Sequence, residues 1–240
     1  MSDDARYDRQ RRIPGWAQAP LSAATVLVAG AGAVGNEVLK NLALLGVGQL
    51  VIVDMDVIER SNLSRTLLFR EADLGVSKAL AAARAVRQLN PAVRVTALDG
   101  DLRFVLGLGR LHACTLALGC LDSQGARSFL SQLCQLAGTP LLDAGMWAMG
   151  GEVRAFLDAE GPCFDCTLTS DERSDLWLRY SCSSGFRVDD ATGPMPTTIS
   201  TTAIIGGLMA QEVARLLQGQ QVANGTALVY NGQAGRDERQ

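Results

Sequence analysis

The sequence predicts an α/β fold built on a doubly wound, mostly parallel sheet with an antiparallel C-terminal extension. Three observations predict it. Short apolar runs alternate with helical ones from Thr25 to Ala144, the first run ends on a glycine turn that opens a helix, and after Gly145 the pattern becomes that of an alternating, half-exposed strand. At 240 residues and 48% hydrophobic, the chain can build one sizeable core, and a single domain over 1–240 is the expectation.

Thr25 to Ala29 is β-branched and apolar and stops at Gly30; Val34 to Leu45 then reads as a helix with small residues on its packing side. Gln49 to Val53 is a second buried strand ending at Asp54, which completes a βαβ unit of right-handed crossover. Val76 to Leu89 is Ala-rich and helical, and Asn90-Pro91 stops it. Val93 to Leu98, Ala113 to Leu118 and Pro140 to Ala144 continue the strands, with a helix from about Ser123 to Ala137 between the last two. Glu152 to Leu157 alternates, Pro162 to Asp190 reads as loops, Thr197 to Leu217 is a long helix, and Thr226 to Tyr230 closes the chain as a last strand. The alternation is Rossmann-like.

Net charge is −3 and the pI about 5.2, which argues against a surface made for nucleic-acid backbones or anionic lipid. The first fourteen residues are polar where a secretory signal needs an apolar run, and no stretch matches a membrane span, so a cytoplasmic location is the expectation. Six cysteines spread over this length read as reduced thiols, and only Cys163 and Cys166 are spaced like metal ligands.

Gly30, Gly32 and Gly35 lie between strand and helix, with Asp54 at the end of the next strand. Glycines let backbone approach phosphate, a helix N-terminus offers unpaired N–H groups, and the acid accepts from a ribose hydroxyl. Alone this says only nucleotide. Asp54, Asp56, Asn62 and Arg65 then fall within twelve residues. A dehydrogenase needs one acid here, whereas a triphosphate also needs cations, and Arg65 and Lys78 are suited to neutralise its outer phosphates while Asp122 holds Mg²⁺. The plainer readings are a solvated charge for Lys78 and a helix N-cap pair for Asp122 and Ser123.

Arg6-Tyr7-Asp8-Arg9-Gln10, the glycine turn, Asp54-Met55-Asp56, Asn62-Leu63-Ser64-Arg65, Gly75-Val76-Ser77-Lys78 and Leu121-Asp122-Ser123 with Arg127 together resemble the family of ThiF, MoeB, HesA and the ubiquitin-activating enzymes. The resemblance runs from Arg6 to about Leu217. It implies a homodimer in which each subunit binds MgATP and activates the C-terminal glycine of a small ubiquitin-like or sulfur-carrier protein ending in Gly-Gly, giving an acyl-adenylate and pyrophosphate. It also implies a nucleotide-binding half at about 20–145 and a carrier-binding, crossover-loop half at about 146–235.

By the same resemblance Asp54 binds ribose, Asn62, Arg65 and Lys78 the phosphates, and Asp122 the Mg²⁺, while Arg9 reaches into the partner subunit's site. The alternative for Arg9 is a surface charge in a flexible arm. Thr66 stands where the family usually has glutamine. Zinc-bearing members carry two Cys-x-x-Cys pairs and these residues supply one, Cys163 and Cys166; the expectation is unmetallated thiols, with a zinc site completed by Cys182 or His112 as the alternative. Cys182 falls where some members place a cysteine that takes the activated carrier, and a buried structural thiol is its other reading.

Three rival functions remain: a NAD-dependent dehydrogenase, an enzyme adenylating a carboxylate on a modified tRNA or a peptide, and a non-catalytic dimer partner. The polar cluster separates adenylation from the first and last.

Overall fold

A computed structural model describes residues 5–173 and 196–233, with the backbone of 236–239. Its strands are β1 (Thr25–Ala29), β2 (Gln49–Asp54), β3 (Arg94–Asp99), β4 (Leu116–Gly119), β5 (Leu141–Trp147), β6 (Gly150–Phe156), β7 (Ala227–Asn231) and β8 (Arg236–Arg239). They form one eight-stranded sheet in the order β3-β2-β1-β4-β5-β6-β7-β8. The strands from β3 to β5 pair in parallel, and β6, β7 and β8 are added antiparallel. Winding reverses between β1 and β4, and that crevice, outside the carboxyl ends of the strands, is where open sheets of this kind take ligands.

The helices are α1 (Asp8–Arg11), α2 (Gln18–Ala23), α3 (Ala33–Leu45), α4 (Lys78–Leu89), α5 (Leu102–Val105), α6 (Leu108–His112), α7 (Gln124–Ala137) and α8 (Ile199–Leu217). Side chains alternate along β1. Val26 and Val28 join Leu50, Ile52 and Leu118 in a core closed by Val38 and Leu42 of α3, Ala82 and Val86 of α4, and Ile205, Met209 and Val213 of α8. Leu27 and Ala29 face the opposite layer, where Leu102, Leu111, Leu130 and Cys134 cover them. Each fully buried Val or Leu contributes roughly 1.5–3 kcal/mol of transfer free energy, so the two faces together hold the crevice rigid.

Several boundaries differ from the sequence reading for local reasons. α4 begins at Lys78, not Val76, because Gly75 and Val76 exchange backbone hydrogen bonds with Ile58 and the Ser77 hydroxyl caps the helix by accepting from the Leu80 N–H. The fourth strand starts at Leu116, because α6 and its closing turn occupy the chain as far as Cys114. β7 is not the last strand: β8 pairs with it from Leu228 to Asn231. The segment read as loop after Pro162 contains a 3-10 turn, Phe164–Thr167.

The N-terminal arm is anchored. Tyr7 is buried, its hydroxyl accepts from Asn90 Nδ2 at 2.8 Å, and Gln10 Nε2 donates to the Leu45 carbonyl at 3.0 Å. No helix among the described residues is long and apolar enough to cross a membrane.

Candidate functional site

The glycine turn joins β1 to α3, and each glycine has its own reason. Gly30 has φ +92°, and a Cβ there would stand 2.4 Å from the Cys120 carbonyl oxygen. At Gly35 a Cβ would stand 2.0 Å from the Gly30 carbonyl oxygen. Gly32 differs: a Cβ there would meet nothing within 4 Å. Gly32 is also the residue that caps α3, without a side-chain bond to its N–H groups. Open space at the N-terminal end of a thirteen-residue helix, beside unpaired donors, fits a phosphate group.

Asp54 ends β2 beside this turn. Its Oδ2 accepts from the Ala31 N–H at 2.6 Å and its Oδ1 from the Asp56 N–H at 2.8 Å. Burial pushes its pKa up, and those two backbone donors with Lys78 only partly offset this. A carboxylate has about four acceptor sites, so two stay free for ribose hydroxyls. Lys78, at the start of α4, is 13% exposed and donates to Asp56 Oδ2 at 2.7 Å. It is therefore an oriented cation and not the solvated charge of its plainer reading.

Arg65 and Asn62 come from the loop that follows β2. Asn62 Oδ1 accepts from the Glu59 N–H at 3.0 Å, which fixes the amide, and its NH₂ has no partner among the described residues. Arg65 Nη1 donates to the Ser61 carbonyl at 2.6 Å. Thr66, buried, donates to the Asn62 carbonyl at 2.9 Å and so spends its hydroxyl inside the loop. Asn36 was missed by sequence reasoning. It is fully buried on α3, and its side chain bridges the glycine turn and this loop. The available signal was a polar residue on the apolar face of a helix.

Asp122 lies between β4 and α7, exposed, with Ser123 capping α7 through the Ala126 N–H at 3.2 Å. The N-cap reading therefore belongs to Ser123, while no described residue pairs with the Asp122 carboxylate. Arg9 is exposed on α1, held there by the anchors on either side of it and not by a flexible arm.

Cys163 and Cys166 bring their sulfurs to 3.7 Å. Among the described residues no group of three or more His, Cys, Asp or Glu side chains is placed to hold a metal, so His112 does not complete a zinc site with them. Its ring instead meets the Ala137 carbonyl at 3.1 Å. Cys182 lies outside the described residues.

A comparison with known proteins bears on this arrangement. The chain is 32% identical over 238 residues to the mouse (Mus musculus) adenylyltransferase and sulfurtransferase MOCS3, covering 98% of this chain and 49% of that protein. It is 35% identical over 143 residues to the SUMO-activating enzyme subunit uba-2 of Caenorhabditis elegans, covering 59% of this chain and 24% of that protein. The chain thus spans about half the length of the MOCS3 relatives it matches, and less of the SUMO-activating subunit. Among solved structures, E. coli MccB with ATP superposes with a TM-score of 0.74 at 19% identity, covering 93% of this chain and 64% of that one, a likeness of fold. The ThiF family itself matches residues 7–239, which takes in β1 through β8, the glycine turn and every polar residue described above, and the chain belongs to that family.

Proposed function

We propose that the protein is an ATP-dependent adenylyltransferase that activates the C-terminal glycine carboxylate of a small ubiquitin-like or sulfur-carrier protein. The observation that carries the reading is the company the open helix N-terminus keeps: a buried acid, Asp54, bonded to the glycine turn, and an oriented cation, Lys78, held two residues on by Asp56, which together suit a ribose and a phosphate. The relatives' names support the reaction class, and the resemblance at Arg6–Gln10 supports a homodimer.

In this reading a carboxylate oxygen attacks the α-phosphorus of ATP. The bond from that phosphorus to the oxygen bridging to the β-phosphate breaks, and pyrophosphate leaves with the electron pair. Asp54 holds the ribose, the N–H groups at Gly32 and Ala33 meet phosphate oxygens, and Lys78, Asn62 and Arg65 bind the departing pyrophosphate. Asp122 holds Mg²⁺, which screens the charge of the triphosphate when bound. Arg9, from a second subunit, lowers the repulsion between two approaching anions. A further step of the same proposal is attack of the Cys182 thiolate on the acyl carbon of the adenylate, which forms a thioester and breaks the bond to AMP, so that AMP leaves with the electron pair. A carboxylate on a peptide or on a modified tRNA is the alternative substrate, since the nucleotide half of the site would serve either.

Calorimetric titration with MgATP and, separately, with NAD tests the reading. MgATP binding that is lost in Asp54→Ala supports it, and justifies screening small proteins ending in Gly-Gly. NAD bound in preference to ATP overturns it.

A further inference from the structure

Asp143, near the middle of β5, is 1% exposed, and it forms an ion pair with Arg127, the fourth residue of α7. Arg127 Nε donates to Asp143 Oδ2 at 2.9 Å, and Nη2 donates to the same oxygen. Two strand glycines make room for the pair. A Cβ at Gly119 would stand 2.3 Å from Asp143 Oδ1, and one at Gly145 would stand 3.0 Å from Arg127 Nη2. The Phe164 ring covers the guanidinium at 4.5 Å, and Asp143 Oδ1 is buried without a hydrogen-bond partner among the described residues.

Stability does not account for this arrangement. A buried ion pair loses in desolvation about what it gains in attraction, and well-packed apolar replacements are often neutral or stabilising. A cation in the first turn of a helix also opposes the macrodipole. What the pair does fix is position. The Arg127 N–H donates to the Ser123 carbonyl at 3.1 Å, so Arg127, Ser123 and the adjoining Asp122 ride on one turn. Tying the guanidinium to β5 clamps that turn against the sheet at the end of β4, the strand next to β1 and the glycine turn.

We propose that the buried Asp143–Arg127 pair is a positioning element for Asp122, holding its carboxylate at the mouth of the crevice where a nucleotide-bound Mg²⁺ would meet it. This rests on the metal role given to Asp122 above. In this proposal the pair acts through the turn it holds and is not itself a ligand to nucleotide or metal.

The test is ATP binding by calorimetry across a Mg²⁺ titration, with thermal unfolding in parallel, for the wild type, Asp122→Ala and the double variant Arg127→Met/Asp143→Leu. The double variant is expected to unfold at or above the wild-type temperature and to bind metal-free ATP as the wild type does. It should need roughly tenfold more Mg²⁺ for half-maximal tightening, the usual effect of removing a group that orients a metal ligand. A wild-type Mg²⁺ midpoint in the folded double variant overturns the proposal. If wild-type binding ignores Mg²⁺, or Asp122→Ala leaves its Mg²⁺ response intact, the role of Asp122 falls and takes the proposal with it. Should the double variant not fold, Arg127→Lys decides, because it keeps the charge but loses the two-pronged grip: a midpoint raised about threefold supports the proposal, and an unchanged one overturns it.

Discussion

The side-chain oxygen of Asn36 accepts the N–H of Leu68 at 2.8 Å, across 32 residues of sequence, while its NH₂ donates to the carbonyls of Ala31 at 2.7 Å and Gly32 at 3.1 Å. The glycine turn and the loop bearing Arg65 are thereby one unit. Replacing Asn36 with Leu leaves a buried donor and buried acceptors unmet, at a cost of about 1–3 kcal/mol. Asn36→Leu is expected to lower the unfolding free energy read from urea titration by that amount, moving the midpoint down, and to weaken ATP binding as the loop drifts from the turn. An unmoved midpoint would mean that other contacts hold the loop.

The three glycines of the turn separate by experiment. Gly30→Ala and Gly35→Ala each drive a methyl into backbone and are expected to unfold the protein or leave it in inclusion bodies. Gly32→Ala meets only open space, so it should fold with a near-native melting temperature and lose ATP affinity. Native affinity in a folded Gly32→Ala variant would place the phosphates elsewhere.

Asp54 carries a linkage with a definite sign. Burial raises its folded pKa above the unfolded value of roughly 3.9, so the folded state binds the proton more tightly. The stability this carboxyl contributes is full below the unfolded pKa and is lost as pH rises through the raised value. Chemical denaturation of the wild type and Asp54→Asn between pH 7 and 4 is expected to show the wild type gaining on the variant as pH falls. A relative loss on acidification would show that the two backbone donors outweigh burial.

Arg9 is exposed on an anchored helix, so Arg9→Ala should leave the melting temperature and ATP affinity unchanged. Pyrophosphate exchange, measured with the carrier present, is expected to fall by about 10–100-fold, the scale of losing one charge-stabilising group. Mixing Arg9→Ala with Asp122→Ala subunits should restore part of the exchange if the arginine acts across a dimer. Equal losses of affinity and rate would assign it to simple binding.

The cysteines should differ sharply in reactivity. Cys166 is exposed, whereas burial pushes the Cys134 thiol up to about 12 and drives Cys120 upward as well. At pH 8 a thiol with a pKa of about 12 is thiolate to about one part in 10⁴. Iodoacetamide under native conditions followed by peptide mass mapping is expected to modify Cys166 and spare Cys120 and Cys134. Metal analysis of the same sample should find zinc well below one per chain, and a full equivalent would mean that the Cys163–Cys166 pair has found other ligands.

Much of the fold was legible because buried strands announce themselves: Thr25–Ala29 and Gln49–Asp54 are nearly uninterrupted apolar runs, and the period changes at each helix. The candidate site was legible wherever chemistry demands a rare residue type at a fixed place, as with Gly30, Asp54 and Lys78. The rest depends on contacts remote in sequence. Nothing around Asn36 says that it reaches Leu68, and nothing around Asp143 says that Gly119 is small to admit it. α6 displaced the start of β4 because a five-residue helix, Leu108–His112, carries too little periodicity to be seen.

The packing of α8 on α3 also governs the order in which the molecule can be made. Gly206 sits so close to α3 that a Cβ there would stand 2.5 Å from that of Glu37, and the Asn41 amide reaches the Gly206 carbonyl at 3.5 Å, 165 residues along the chain. Loop-closure entropy makes contacts of that span late in folding. On the ribosome, Val38 and Leu42 lack the cover of Ile205, Met209 and Val213 until that part of the chain has emerged, so a nascent chain halted before Ile199 exposes apolar surface there. α3, although written in the first fifth of the sequence, gains its final cover only from residues near the other end of the chain.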